Sequence, residues 1–262
     1  MRAYVQQVVV TDDEPAADRA ARVLDTVRGF PDPELVVLPE LWLHGGFNYD
    51  GWGDGIDLDH PVLADLAAVA AEKRCVLHAG SVVLRDRAGR PTNTALVYGP
   101  DGRLAARYDK IHLFGFDEGE AVTFAPGTET VVVPTADAVL GMSICFDLRF
   151  PELFRRLLDQ YADVITVPAA WPDARAEHWR VLLRARAIES QAWVCAASTA
   201  GTHSGLTMSG YSAIVSPAGE VVAEAGPDEE ATLVVDLDLE LQRRLRAEFP
   251  VLEWRRLDRP AH

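Results

Sequence analysis

Two rhythms of apolar residues run along this chain. Short apolar runs bounded by turn-forming residues predict strands, and longer stretches with apolar positions three and four apart predict helices. The first part reads as a strand over 4–10, a helix over 14–28, a strand over 35–38, a helix over 61–73 and a strand over 75–84. In the second helix Leu63, Leu66, Val69 and Ala70 share one face, and Pro61 occupies the first turn, where a missing N–H costs nothing. The middle reads as hairpins. Turn-rich joints at 85–90 and 99–102 separate strands over 82–84, 94–98 and 104–108. The second half repeats the opening theme with a strand over 138–144, a helix over 151–160, a strand over 164–167, a helix over 175–190 and a strand over 193–198. A hairpin of 212–215 with 221–224, a strand over 232–235 and a helix over 239–247 close the chain. Strands flanked by helices in both halves predict mixed sheets covered by helices, and the pattern alone allows a single doubly wound sheet.

Three chemically capable residues stand at the ends of apolar runs. Cys145 closes the run Ala138-Val139-Leu140-Gly141-Met142-Ser143-Ile144 and precedes a helix that opens at Pro151. A thiol facing a helix N-terminus sits among free N–H groups and the positive end of the helix dipole, which favour a thiolate. The competing reading is a packed core thiol, since free cysteine is among the most buried residue types. Glu40 ends the run Leu35-Val36-Val37-Leu38-Pro39, and Lys110 lies between a strand-like stretch and a loop in Tyr108-Asp109-Lys110-Ile111-His112-Leu113-Phe114. Most glutamates and lysines are solvated surface charges. A glutamate, a lysine and a cysteine at successive strand ends instead suggest one cleft.

Composition narrows the possibilities. The 262 residues carry no Pro/Gly/Ser-rich linker, charge block or repeat, so a single domain over 1–262 is expected. Twenty-five basic against 40 acidic residues give a net charge of −15, which argues against nucleic acid or an anionic membrane as partner. Cys75 and Cys195 lie in strand-like runs and read as core residues. Three cysteines without CxxC spacing argue against a disulfide framework or a structural zinc. The apolar stretch at the N-terminus is too short and interrupted for a signal peptide, and no run approaches the ~18–20 residues of a membrane span. A reducing cytoplasm is expected, and it suits a working thiol.

The segments LVVLPELW, YDKIHLF and GMSICFDLRFPELFRRL resemble, in order and spacing, the three signature regions of the nitrilase superfamily of carbon–nitrogen hydrolases. The similarity continues through Val167-Pro168-Ala169-Ala170-Trp171-Pro172 and Leu183-Arg184-Ala185-Arg186-Ala187-Ile188-Glu189 and covers nearly the whole chain. It implies an αββα four-layer sandwich of two mixed β-sheets flanked by helices. It further implies Glu40 as general base, Lys110 as transition-state cation and Cys145 as nucleophile, with no metal or organic cofactor. A second glutamate usual in the family falls on Glu120, seven residues before Gly127, with Glu118 as the competing position. Relatives use C-terminal tails across a dimer interface. The tail of about 249–262, Phe249-Pro250-Val251-Leu252-Glu253-Trp254 onward, is therefore expected in a homodimer or higher homo-oligomer, with a tail folded on its own subunit as the alternative.

Such a triad hydrolyses amides. The thiol attacks the carbonyl carbon, Glu40 moves the protons, and Lys110 with the backbone N–H of Phe146 holds the oxyanion until a thioester remains. His112 and His178 offer a Cys–His arrangement and read more readily as hydrogen-bonded structural residues. Asp147, Arg149 and Glu152 read as helix-start and ion-pair residues. CFDLRFPEL and the WP-x-x-R-x-x-HW stretch look most like the omega-amidase branch, whose substrates are amides of short 2-oxo dicarboxylic acids. Arg175 is then a candidate for the substrate carboxylate and Trp171 for an apolar wall. An N-carbamoyl-amide hydrolase, a deaminated-peptide amidase and a nitrilase share the chemistry, the last opposed by the amidase-like CFDLRFPEL. A non-catalytic scaffold and a redox-sensing thiol protein are the readings from other classes.

Overall fold

A computed structural model describes residues 1–52, 55–86 and 88–257. The chain begins with β1 (Arg2–Val9), α1 (Ala16–Arg28), β2 (Leu35–Val37), the short α2 (Tyr49–Trp52) and α3 (Pro61–Lys73). Three strands then meander, β3 (Val76–Arg85), β4 (Pro91–Tyr98) and β5 (Leu104–Asp109), before the single turn α4 (Glu120–Thr123). The second half runs β6 (Val132–Pro134), β7 (Val139–Met142), a 3-10 turn Cys145–Arg149, α5 (Pro151–Asp159), β8 (Val164–Ala169), a 3-10 turn Asp173–Arg175, α6 (Ala176–Ser190) and β9 (Trp193–Ala200). It ends with the small hairpin β10 (Thr202–His203) and β11 (Leu206–Thr207), then β12 (Ala213–Val215), β13 (Val221–Glu224), β14 (Ala231–Asp236), α7 (Leu239–Glu248) and a last 3-10 turn, Val251–Trp254.

The strands form two six-membered sheets. The first has the order β14-β1-β2-β3-β4-β5, parallel through β1, β2 and β3 and antiparallel outside them. The second has the order β6-β7-β8-β9-β12-β13, parallel through β7, β8 and β9. Among the described residues they pair edgewise only where β1 runs beside β9, at Val8 with Thr199 and Val9 with Ala200. Strand alternation explains the layering. Ala3 and Val5 of β1, Leu35 and Val37 of β2, and Ala95 and Val97 of β4 share a core with Leu140, Met142, Val164 and Cys195 of the other sheet. The intervening residues Tyr4, Val8, Val36, Leu96 and Tyr98 pack instead with the apolar faces of α1 and α3. On the far side Leu153, Phe154 and Leu157 of α5 and Trp179, Leu183 and Ala187 of α6 cover the second sheet. The layers are thus helix, sheet, sheet, helix, the four-layer sandwich that the resemblance implies, and not the single sheet that the pattern alone allowed.

Local chemistry sets the ends that matter. α3 starts at Pro61 with His60 accepting the N–H of Val62 at 3.3 Å, and its buried face is Val62, Leu63, Leu66, Val69 and Ala70. β7 stops at Met142, two residues short of the predicted end. Ser143 turns its hydroxyl onto the carbonyl of Thr166 at 2.9 Å and the N–H of Ile144 goes to Asp147 at 2.9 Å, so the chain leaves the ladder. In β3 the register slips between His78 and Ser81, and Gly80 at φ +69° makes the bulge possible. A Cβ there would lie 1.9 Å from the carbonyl oxygen of Pro39, the residue before Glu40.

The tail from Phe249 to Leu257 returns to its own subunit. The side chain of Gln191 donates to the Phe249 carbonyl at 2.9 Å, and Arg255 pairs with Asp159 at 2.7 Å. Phe249, Trp254 and Leu257 nevertheless remain exposed. The end of the predicted tail, 258–262, lies outside the described residues.

Candidate active site

Each residue singled out in the three segments sits where a strand of one sheet or the other runs out. Glu40 follows β2 and is followed by Leu41 at φ +44°, whose N–H is held by Ser81 Oγ at 3.1 Å. Lys110 is the first residue after β5. Cys145 opens the 3-10 turn after β7 at φ +45°. Leu41 and Cys145 are thus two non-glycine residues in the left-handed region, each at a cost of ~1–2 kcal/mol.

The side chains meet in a buried cluster. Lys110 Nζ donates to Glu40 Oε1 at 2.7 Å and to Glu120 Oε2 at 2.6 Å. Asn93 of β4 donates through Nδ2 to Glu40 Oε1 at 2.8 Å and to Glu120 Oε1 at 2.6 Å. The N–H of Ala170, just after β8, reaches Glu40 Oε2 at 2.8 Å, and the N–H of Phe114 reaches Glu120 Oε2 at 2.8 Å. Each carboxylate therefore receives three donors. Glu118 is exposed on the neighbouring loop, so Glu120 is the glutamate that contacts Lys110. Burial works against the Lys110 charge, but Glu120 and Glu40 hold its pKa above the ordinary lysine value. Burial raises Glu120, and Lys110 only partly opposes that.

The sulfur lies against this cluster. Cys145 Sγ is 3.9 Å from the carbonyl oxygen of Ala170. Burial pushes the thiol well above its usual pKa, Glu40 adds to the rise, and Lys110 pulls the other way. Burial and Glu40 thus favour the thiol here, against the thiolate that a helix N-terminus favours. The sequence shows the turn but not the two carboxylates beside it, and α5 opens only at Pro151, one short turn further on. Burial also lifts Cys75 to about 11 and Cys195 to about 12, as suits core thiols.

Asp147 holds the turn together. It accepts from Tyr108 OH at 2.7 Å, from the Ile144 N–H at 2.9 Å and from the His112 N–H at 3.1 Å, and its Oδ1 lies 2.7 Å from His112 Nδ1. The His112 ring stacks on Phe150 at 3.7 Å. His178 sits 3.2 Å from an Arg149 nitrogen on the outside of the site. Both histidines thus have structural partners. The Phe146 N–H belongs to the first turn of the 3-10 segment, where backbone donors lack intrahelical acceptors.

The cluster forms the floor of a cleft. Phe47, Tyr49, Trp52, Phe114, Phe146 and Trp171 supply apolar walls, and Arg149 and Arg175 stand among the lining residues. Arg149 lies over the Trp171 ring at 4.9 Å, and among the described residues no carboxylate pairs with it. Burial, and then Arg175, lower its pKa, the mark of a guanidinium without a counter-ion. This corrects its expected place in an ion pair. Arg175 is exposed, with its guanidinium 5.9 Å from the Phe114 ring, and its carbonyl accepts the Trp171 indole N–H at 2.8 Å. Asn93 and Arg149 are the polar groups that sequence reasoning missed. An asparagine inside a Thr-Asn-Thr run reads as a turn, and Arg149, four residues after the cysteine, reads as an ion-pair residue.

The carbon–nitrogen hydrolase family model matches residues 3–247. The chain is 41% identical over 260 residues to a 2-oxoglutaramate amidase of Paenarthrobacter nicotinovorans, across 96% of this chain and 88% of that one. It is 37% identical over 201 residues to the omega-amidase NIT2 of Xenopus tropicalis, across 74% of this chain and 72% of that one. Among solved structures it is similar to XC1258 of Xanthomonas campestris, a CN-hydrolase superfamily protein with an arsenic adduct in its active site. That match has a TM-score of 0.89 and 30% identity, and covers 100% of this chain and 99% of that one.

Proposed function

The chain belongs to the carbon–nitrogen hydrolase family and is an omega-amidase-like amidase, and from that premise we propose that it hydrolyses the terminal amide of a short 2-oxo dicarboxylic acid monoamide through a thioester on Cys145. The observation that carries this reading is the pairing of one buried Glu40–Lys110–Glu120 cluster beside a thiol with a cleft lined by two arginines, neither of which pairs with a carboxylate among the described residues.

Glu40 takes the thiol proton as Sγ attacks the amide carbon, so the costly thiolate exists only as the new bond forms. The oxyanion is held by Lys110 Nζ and the Phe146 N–H, donors of a kind commonly worth ~3–4 kcal/mol each. Glu40 then passes its proton to the amide nitrogen, ammonia leaves, and a thioester remains. Water attacks next, giving its proton to Glu40 and its oxygen to the acyl carbon, and the proton returns to sulfur as the carboxylic acid departs. Glu120 keeps Lys110 and the substrate nitrogen in place. Every step uses side chains and backbone of this protein, with no cofactor. A protein of charge −15 repels an anionic substrate at long range, so Arg149 and Arg175 supply the local positive field, with Trp171 as a wall.

The single hydrolase domain comprises 1–262 and acts in a cytoplasm that keeps its three free cysteines reduced. No helix among the described residues is long and apolar enough to cross a membrane. The exposed Phe249, Trp254 and Leu257 form part of a homodimer interface.

The test is ammonia release from 2-oxoglutaramate, a ureido acid, a deaminated-peptide amide, a nitrile and a neutral short amide, with intact mass read during turnover. Preference for the dicarboxylic monoamide and an acyl adduct that vanishes in Cys145→Ala are expected. A preference for the ureido acid, or an adduct on Cys75 or Cys195, would replace this reading.

A further inference from the structure

Asn93 bridges the two glutamates of the cluster. It lies in β4 with no solvent exposure, and its carbonyl accepts the Lys110 N–H at 2.9 Å. Its carboxamide nitrogen bridges Glu40 and Glu120, one proton to each, at 2.8 and 2.6 Å. Oδ1 is buried with no partner among the described residues. The reverse orientation would set that oxygen against two carboxylates, so the hydrogen-bond network fixes the amide as it stands. One residue thus touches Lys110 through its backbone and both glutamates through its side chain, and the orphaned oxygen is a cost the fold carries to keep it there.

We propose that Asn93 is a positioning residue for the hydrolysis, holding Glu40 and Glu120 both ionised and separated so that Glu40 alone carries the reaction's protons. The inference rests on the amidase reading. Two carboxylates on one lysine form a pair that readily captures a proton between them, as like charges in one site do. A shared proton would leave Glu40 unable to accept one from the thiol. The groups facing Glu40 are Lys110 after β5, Glu120 on α4 and Cys145 on the 3-10 turn, with Arg149 and Arg175 further out in the cleft. Of these only Lys110 neutralises charge in the cluster. Asn93 supplies the remaining side-chain donor, and being uncharged it cannot itself take up the proton.

Removing a donor from an ionised carboxylate raises its pKa, so the acid limb of kcat/KM must move to higher pH. Asn93→Leu, close in shape, is expected to lose kcat ~10-fold or more at neutral pH with KM little changed, and to shift the acid limb up by about one pH unit. Asn93→Asp offers a proton to one glutamate only when itself protonated, so its optimum is expected to lie below that of the natural protein. Asn93→Ser serves if the leucine variant does not fold. Difference infrared spectra of the carboxyl C=O band without substrate, with Glu40→Gln and Glu120→Gln as blanks, should show the pair taking up a proton at higher pH in Asn93→Leu. An acid limb that stays in place while kcat falls, or an unchanged carboxyl titration, overturns the assignment. Because the infrared titration needs no substrate, a natural protein that hydrolyses no amide defeats the amidase reading without deciding the role of Asn93.

Discussion

Replacing Arg149 by methionine keeps the side chain's length and its contact with the Trp171 face and removes its charge. Arg149 is half-buried, has no carboxylate partner among the described residues, and is repelled by Arg175. An anionic group entering the cleft would supply the missing counter-ion. A hydrogen bond between charged partners is worth ~1.5–3 kcal/mol, which converts to roughly 10–150-fold in kcat/KM. Partial exposure places the expected loss toward the lower part of that span. Arg175 is exposed, so Arg175→Met should cost only about 2–5-fold on the same substrate. The assay is initial-rate ammonia release with 2-oxoglutaramate and, in parallel, a neutral amide of similar length. Loss confined to the anionic substrate, larger for Arg149 than for Arg175 and reduced by added salt, is the expected pattern. Equal losses on both substrates would make Arg149 a structural residue. A larger effect at Arg175 would reverse the burial argument.

Because burial and Glu40 raise the Cys145 thiol, its alkylation by iodoacetamide should be slow at neutral pH and still climbing above pH 9, and a plateau near neutrality would refute the resting thiol. Gly80→Ala must displace the Pro39 carbonyl, so it should lower stability by about 2 kcal/mol or more and reduce kcat, and a variant that melts and turns over like the natural protein would remove the bulge from the account. Burial lowers His78 to about 4 from an ordinary 6.5, so the folded state binds fewer protons than the unfolded chain. Stability from this group is complete above pH 6.5 and lost as the pH falls towards 4, about 3 kcal/mol in all, and urea unfolding of His78→Gln should flatten that limb. If the proposed homodimer forms, deleting residues after Glu248 should convert it to monomers in sedimentation equilibrium, and a natural protein that sediments as a monomer would dismiss the interface.

The sequence made the frame legible where periodicity and capping agree. α3 begins and ends where Pro61 and the 61–73 pattern place it, because the proline and the apolar stripe point to one answer. β4 was read from Thr94 but begins at Pro91, since three polar residues in a row mimic a turn, and with them Asn93 was lost from view. The shortening of β7 has the same origin, for Ser143 and Ile144 look like strand until Asp147 takes the backbone N–H. Glu40, Lys110 and Cys145 stood out because each ends an apolar run. The charge state of the thiol did not, because it depends on carboxylates brought from residues 40 and 120 by tertiary contact. Arg149 was misread for a related reason: what makes it a cleft residue is the lack of a counter-ion, and sequence cannot show a missing neighbour.

Among the described residues the two sheets join edgewise at only two residue pairs, Val8 with Thr199 and Val9 with Ala200. Glu40, Asn93 and Lys110 arrive from one sheet, while Cys145 and the Ala170 N–H arrive from the other. Neither half of the polypeptide therefore carries the chemistry by itself, and a fragment with native secondary structure would be chemically blank. During refolding, backbone circular dichroism should recover before turnover, which waits for the two layers to dock in register. Catalysis then serves as a clock for that final event. A slip of about 1 Å along the seam is enough to take sulfur out of line with its base while every strand remains intact.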